Sequence, residues 1–209
     1  MKSNHLLKAV YALALTSLLA CKPETPKLLL PVFGEKKIEN QDTVYHRIGN
    51  FSLTNQFGEK VTQETTKNKI YVANFFFATC QSICPAMSTN LGDVQRAFEN
   101  DSSVLILSHS VNPLHDTVAV LNAYGDTYHA IKNKWHLVTG DKKLIYDLAK
   151  TSYLVNVVED DGTPEGFLHS ELLVLVDRKG RMRGVYDGTD KAQVVKLIED
   201  IHLLKKENF

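Results

Sequence analysis

The chain has 209 residues, with 24 Lys and Arg against 24 Asp and Glu and a 44% hydrophobic composition. That length allows one domain with appendages and a core that needs no disulfide scaffold. The composition excludes a collagen, a long disordered tail and a multi-span membrane protein, and the zero net charge gives no electrostatic basis for binding nucleic acid. Three cysteines (Cys21, Cys80 and Cys84) are too few for a disulfide framework.

The chain opens on a leader. Lys2 and Lys8 form a positive region, Ala9 to Ala20 is uncharged and mostly apolar, and Cys21 follows. A run of that length falls short of the about 20 residues a membrane-spanning helix needs and reads as a secretory signal peptide over 1–20. Its exit, Leu18-Leu19-Ala20-Cys21, resembles the lipobox of bacterial lipoproteins. The resemblance implies diacylglycerol on the Cys21 thiol, cleavage before it and acylation of the new amine, because a single acyl chain anchors only marginally. Loss of Met1–Ala20 removes two lysines and no acid, so the remainder is two charges negative. Residues 21–37, with Pro23, Pro26 and Pro31 among lysines, read as a lipidated tether, and 38–209 as the folded domain. The compartment is then extracytoplasmic, on the periplasmic side of a bacterial membrane, where disulfides persist.

Within the domain, Phe51–Thr62 reads as an N-terminal β-hairpin turning at Asn55-Gln56-Phe57-Gly58. Ile70–Phe77 is apolar and aromatic except for Asn74 and predicts a central strand buried on both faces. Met87, Leu91, Val94 and Phe98 recur at helical spacing over Pro85–Phe98. Val104–Leu107 predicts a second buried strand, Asp116–Tyr128 a helix, Trp135–Val138 a short strand, and Asp141–Lys150 a helix with Asp141 as N-cap. Leu172–Val176 and Met182–Tyr186 flank the turn Asp177-Arg178-Lys179-Gly180, and Asp190–Leu204 is an amphipathic helix. A βαβ unit, then an antiparallel hairpin and a terminal helix, is the order of an α/β, thioredoxin-like fold with a central mixed sheet flanked by helices. Fold alone does not give function.

Cys80 and Cys84 fall at the strand-to-helix junction. Pro85 suits the first helical turn, where its missing N–H is no loss. Cys84 therefore starts the helix, where backbone N–H groups and the macrodipole favour a thiolate. Three intervening residues let the two sulfurs converge, either to close a disulfide or to bind one soft metal ion. Thiol-exchange enzymes usually space the pair one residue tighter. Of the histidines, His5 belongs to the leader, His46, His129 and His202 read as solvated, and His136 as structural. His109 and His115 flank the turn Ser110–Leu114 near the predicted site. His169 follows the polar loop Asp160–Gly166 and precedes the hairpin strand. In a thioredoxin-like fold that loop faces the cysteines, and two thiolates with one neutral imidazole suit Cu(I).

Four segments in order then resemble the Sco/SenC family, copper-binding assembly factors of cytochrome c oxidase. They are Cys80 to Pro85 for Cys-x-x-x-Cys-Pro, Ser110-Val111-Asn112-Pro113 with Asp116-Thr117, Trp135 to Gly140, and His169-Ser170. The resemblance spans about Phe51 to His202. It implies Cys80, Cys84 and His169 as ligands to copper, as Cu(I) with Cu(II) as a second state. The partners it implies are the copper-receiving subunit of a haem-copper oxidase, a thioredoxin-like reductant for the cysteine pair, and the membrane through the lipid anchor. Two departures stand out: Gln81-Ser82 replaces a frequent Pro-Asp, and Asn112 replaces an Asp, which removes carboxylates beside the copper loop.

The expected function is a membrane-tethered copper chaperone that delivers copper to the oxidase's binuclear centre or reduces its thiols. The rival is an enzyme, a thiol–disulfide oxidoreductase or thiol peroxidase using Cys80 and Cys84 without metal. His169 weighs against the rival, because exchange enzymes usually carry a proline there. A copper- or redox-sensing protein with no delivery role is a third reading.

Overall fold

The computed structural model describes residues 29–155, 158–159, 167–168 and 170–207. Its centre is β5 (Ile70–Phe76) and β6 (Val104–Ser110), whose residues are buried without exception. Such runs have no solvent face to alternate toward, so they pair in parallel between covered faces. β5 and β6 run parallel from Ile70↔Val104 to Phe76↔Ser110, and β7 (Trp135–Thr139) continues the parallel set beside β6. β3 (Ser52–Asn55) and β4 (Lys60–Thr62) form the expected hairpin, with β3 antiparallel to β7. On the other side β10 (Leu172–Val176) pairs antiparallel with β5, and β11 (Met182–Asp187) with β10. The order β11-β10-β5-β6-β7-β3-β4 is a mixed sheet. Among the described residues, five α-helices accompany it: α1 (Gln63–Thr66), α2 (Cys84–Ala97), α3 (Val118–Thr127), α4 (Lys142–Asp147) and α5 (Lys191–Lys206). This is the thioredoxin-like arrangement expected from the sequence.

Several local signals act as the sequence suggests. Asp141 and Asp190 cap α4 and α5 by accepting the N–H of Leu144 and of Ala192. Gly58 turns the β3–β4 hairpin at φ +74°, a conformation that favours glycine. Other features differ. The helix read from Asp116 begins at Val118, with Thr117 as N-cap, because Asp116 is turned into the interior. The helix read over Asp141–Lys150 is α-helical only to Asp147 and then widens into a π turn, Leu148–Ser152. A further hairpin, β1 (Lys36–Glu39) with β2 (Asp42–Tyr45), precedes the one expected. A short antiparallel pair, β8 (Val158–Glu159) and β9 (Phe167–Leu168), brackets residues 160–166.

Several polar groups inside the sheet are paired with one another. Trp135 Nε1 donates to Ser108 Oγ at 2.9 Å, and that hydroxyl donates to Asn74 Oδ1 at 2.6 Å. Gln56 leaves the β3–β4 turn for the interior, donating to the Trp135 carbonyl and accepting from the Leu137 N–H, which completes the edge of β7. His136 sits against Asn55 at 3.3 Å, in the structural role expected for it.

His109 is fully buried on β6, stacked on Phe75 at 4.9 Å and edge-on to Tyr153 at 5.3 Å. Burial lowers its pKa from 6.5 to about 4, although bonds to the Asn74 and Leu107 carbonyls pull the other way. Because the folded value lies below the unfolded one, its contribution is complete above about pH 6.5 and is lost as pH falls toward 4. The full loss corresponds to about 3 kcal/mol. Denaturant titrations from pH 7 to pH 4 should therefore show falling stability in wild type and a flatter profile in His109→Phe. Equal slopes would mean that another group carries the effect.

Candidate metal centre

β5 ends at Phe76, and the chain turns through residues 77–83 into α2. The Cys80 N–H donates to the Phe77 carbonyl at 3.2 Å, and the Cys80 sulfur lies 3.5 Å from Ser82 Oγ. Cys84 is the first residue of α2 and Pro85 occupies its first turn. The N-cap is Ile83, which offers no side-chain oxygen, and no acid lies in the first turn. Among the described residues no side chain caps the positive end of the helix dipole, where Cys84 sits. Both are sequestered, Cys84 completely and Cys80 to 5% exposure. Soft sulfur donors in a water-poor setting at a helix N-terminus suit a monovalent soft cation, or a reactive thiolate.

The loop bearing Cys80 is seated on Asp116. This fully buried carboxylate accepts the Ala78 N–H at 3.0 Å and the Ser110 hydroxyl at 2.6 Å through Oδ2, while Oδ1 meets His115 Nδ1 at 2.9 Å. The Val111 N–H donates to the Phe76 carbonyl at 2.8 Å, and Tyr146 OH donates to the Val111 carbonyl at 3.2 Å. The segment after β6 therefore braces the segment after β5. On the helix side, Tyr124 packs on Phe76 at 5.0 Å and its hydroxyl lies 2.7 Å from Ser88 Oγ. Burial pushes the Tyr124 phenol well above its ordinary pKa, and the neighbouring Cys84 charge adds to that shift. Tyr124 is thus a neutral wall beside Cys84. From the sequence, Asp116 takes a place at a helix start and in a family-like segment, but neither Asp116 nor Tyr124 takes a role at the site. The Ser110–Asp116 spacing was the signal available.

The structure places Cys80 on the turn before α2 and Cys84 at the first residue of that helix, both buried. His109 is packed into the sheet, and His115 is exposed but tied to Asp116. His129 and His202 are exposed, as expected. His46 is not simply solvated: its Nε2 bonds the Ser152 carbonyl at 2.7 Å, where the chain passes the π turn. His169, the loop 160–166 and Cys21 lie outside the described residues. Among the described residues, no group of three or more His, Cys, Asp or Glu side chains is arranged for a metal. Either side of His169, β9 ends at Leu168, and buried Ser170 accepts the Leu172 N–H at 3.2 Å as β10 begins. With Val174 opposite Ala73 and Val176 opposite Tyr71, Leu172 lies toward the Phe76 end of β5, where the cysteine segment starts.

The fold and the cysteine pair define a thioredoxin-like domain with a buried Cys-x-x-x-Cys at the start of a core helix. The chain belongs to the SCO1/SenC family, whose model matches residues 39–204. Among solved structures, a SCO1/SenC family lipoprotein from Bacillus anthracis is 27% identical, with TM-score 0.70 over 77% of this chain and 96% of that one. BsSco, a member of the Sco family of cytochrome c oxidase assembly proteins with a disulfide switch, is 26% identical with TM-score 0.68, covering 77% and 94%. Copper-bound ScoI of Bradyrhizobium japonicum is 26% identical with TM-score 0.64, covering 75% and 98%.

Proposed function

We propose that this protein is a membrane-tethered copper carrier. It takes one copper on Cys80, Cys84 and His169 and passes it to the copper-receiving subunit of a haem-copper oxidase. The observation that carries the reading is the pair of buried sulfurs at the uncapped start of α2. Copper-bound ScoI and BsSco, with their shared fold, support the cargo and the oxidase as its destination. The entry of β10 at the cysteine end of β5 supports His169 as third ligand. The metal moves by ligand exchange: an incoming thiolate adds as one of these donors leaves, and no covalent bond turns over.

Cys21 carries the lipid that holds the domain on the extracytoplasmic face, a reading supported by the lipoprotein from Bacillus anthracis. With Ser82 and Asn112 at two positions where the family often carries an Asp, the partner is met by shape more than by negative charge around the loop.

The disulfide switch of BsSco favours a second use of the same pair. Oxidation of the two thiols would release two protons and two electrons, so the pair can reduce a partner's disulfide and then be restored by a thioredoxin-like reductant. The two states exclude one another, since a Cys80–Cys84 disulfide leaves no thiolate for the metal. Reduced protein should bind one Cu(I) per chain and protect both cysteines from alkylation, while oxidised protein should bind none tightly. Equal copper binding by the two forms would rule out the sulfurs as ligands.

A further inference from the structure

At the end of the sheet opposite the cysteines, the start of β5 and the β10–β11 turn enclose a cleft of about 410 Å³. Four cations line it, Arg47, Lys67, Arg178 and Lys179, against the acids Glu64 and Asp177. Asp177 adds little negative charge, because it is fully buried and bonded to Arg181 at 2.8 Å and to Arg183 at 2.9 Å. Glu64 pairs with Lys67 at 3.0 Å. Among the described residues the lining thus carries four basic side chains against two acidic ones, in a chain whose total charge is zero.

The N-terminal segment reaches the domain at this same end. The Leu29 and Leu30 N–H groups donate to Glu207, which follows the last turn of α5, and Arg183 donates to the Leu30 and Pro31 carbonyls. The Phe33 N–H donates to the Met182 carbonyl, and the Ile48 N–H to that of Gly180, which lines the cleft. Eight positions separate Cys21 from Leu29, a reach of at most about 29 Å when fully extended. A lipid on Cys21 therefore keeps the cationic end, rather than the cysteine end, close to the bilayer.

We propose that this cleft binds the phosphate of an anionic phospholipid and holds the domain with its cationic end on the membrane, so that Cys80 and Cys84 face away from it. Guanidinium groups match phosphate oxygens in paired hydrogen bonds, and basic residues beside an anchor add to its hold on an anionic surface. The orientation rests on the tethered reading given above, whereas the affinity of the cleft can be measured without the lipid.

The test uses the chain from residue 21 to its end carrying Cys21→Ser, which lacks the cationic, apolar leader and cannot be acylated there. Binding is measured by flotation with phosphatidylcholine vesicles and with vesicles that also contain phosphatidylglycerol. The chain should gain affinity from phosphatidylglycerol, and added salt should remove the gain. Adding Arg47→Glu and Lys179→Glu should reduce binding to the anionic vesicles by at least about 10-fold and leave binding to phosphatidylcholine unchanged. Arg47→Gln with Lys179→Gln, compared by thermal melting, separates lost charge from lost folding. No gain from phosphatidylglycerol, or a gain that survives both pairs of substitutions, would overturn the proposal. So would inorganic phosphate binding at the cleft without preference for anionic vesicles. Copper uptake by the same variants stays at the wild-type level if only the membrane reading fails.

Discussion

Arg183→Met should destabilise the domain by about 3–5 kcal/mol, roughly 10 °C in melting temperature for a chain of this size. Arg183 is fully enclosed and has all its donors committed. Nη1 donates to Asp177 at 2.9 Å and to Glu207 at 2.8 Å, Nη2 to Glu207 at 2.6 Å and to the Leu30 carbonyl at 2.7 Å, and Nε to the Pro31 carbonyl at 2.9 Å. Burial alone would raise the pKa of Glu207, but Arg183 and the Leu29 and Leu30 N–H groups hold it below the usual carboxylate range. Removing the cation strands that carboxylate and two carbonyls out of water, and releases the N-terminal strap from β11. Glu207→Leu on top of Arg183→Met should recover part of the loss, since an apolar pair leaves no buried charge behind. A melting curve unchanged by Arg183→Met would show that water replaces the guanidinium at little cost.

The second large effect is expected at Asp116. Asp116→Ala removes the acceptor for the Ala78 N–H and the Ser110 hydroxyl, both in the brace beneath the cysteine segment. Each buried group left unsatisfied costs about 1–3 kcal/mol, so a total of about 2–6 kcal/mol is expected for the two. Asp116→Asn keeps one acceptor oxygen and should lose less. The loss is local to the loop, so Cys80 should be alkylated faster in the copper-free variant at temperatures where the domain is still folded. His115 is exposed and meets only Oδ1, so His115→Ala should leave the brace largely intact. Unaltered Cys80 reactivity in Asp116→Ala would separate this carboxylate from the positioning of the site.

The centre of the fold is legible in the sequence because its residues carry a single meaning. The runs at Ile70–Phe76 and around Val104 can only be buried strands, and Pro85 with Met87, Leu91 and Val94 marks a helix start and its inner face. Cys80 and Cys84 are legible for the same reason, since their position follows from the strand and helix on either side. The hairpin over Lys36–Tyr45 is not. Its strands are largely exposed and show no core-facing alternation, and its turn, Asn40-Gln41, takes positive φ at both residues without the glycine that usually signals it. Gln56 looks like a solvated turn residue and is instead a structural link, because its partners on β7 are about eighty positions away. The Arg183 cluster joins residues more than 150 positions apart, and no local pattern encodes such a meeting. Asp116 misleads because an acid near a helix start has an ordinary explanation as a cap, and only the packed structure shows the loop it supports.

In the proposed copper site, His169 is the member that separates a three-ligand centre from a simple dithiol. The direct measurement is a Cu(I) competition titration of reduced wild type, His169→Ala and His136→Ala, set beside the rate at which each one's Cys80–Cys84 disulfide is reduced. Loss of a ligand should weaken Cu(I) binding by at least about 10- to 100-fold, the range already seen for groups that only support a ligand, or roughly 1.4–2.7 kcal/mol. His136→Ala should bind as wild type, because the His136 side chain on β7 is engaged with Asn55, and all three should be reduced at similar rates. Wild-type Cu(I) affinity in His169→Ala together with slowed thiol exchange would contradict the account and identify the pair as the centre of a thiol–disulfide oxidoreductase.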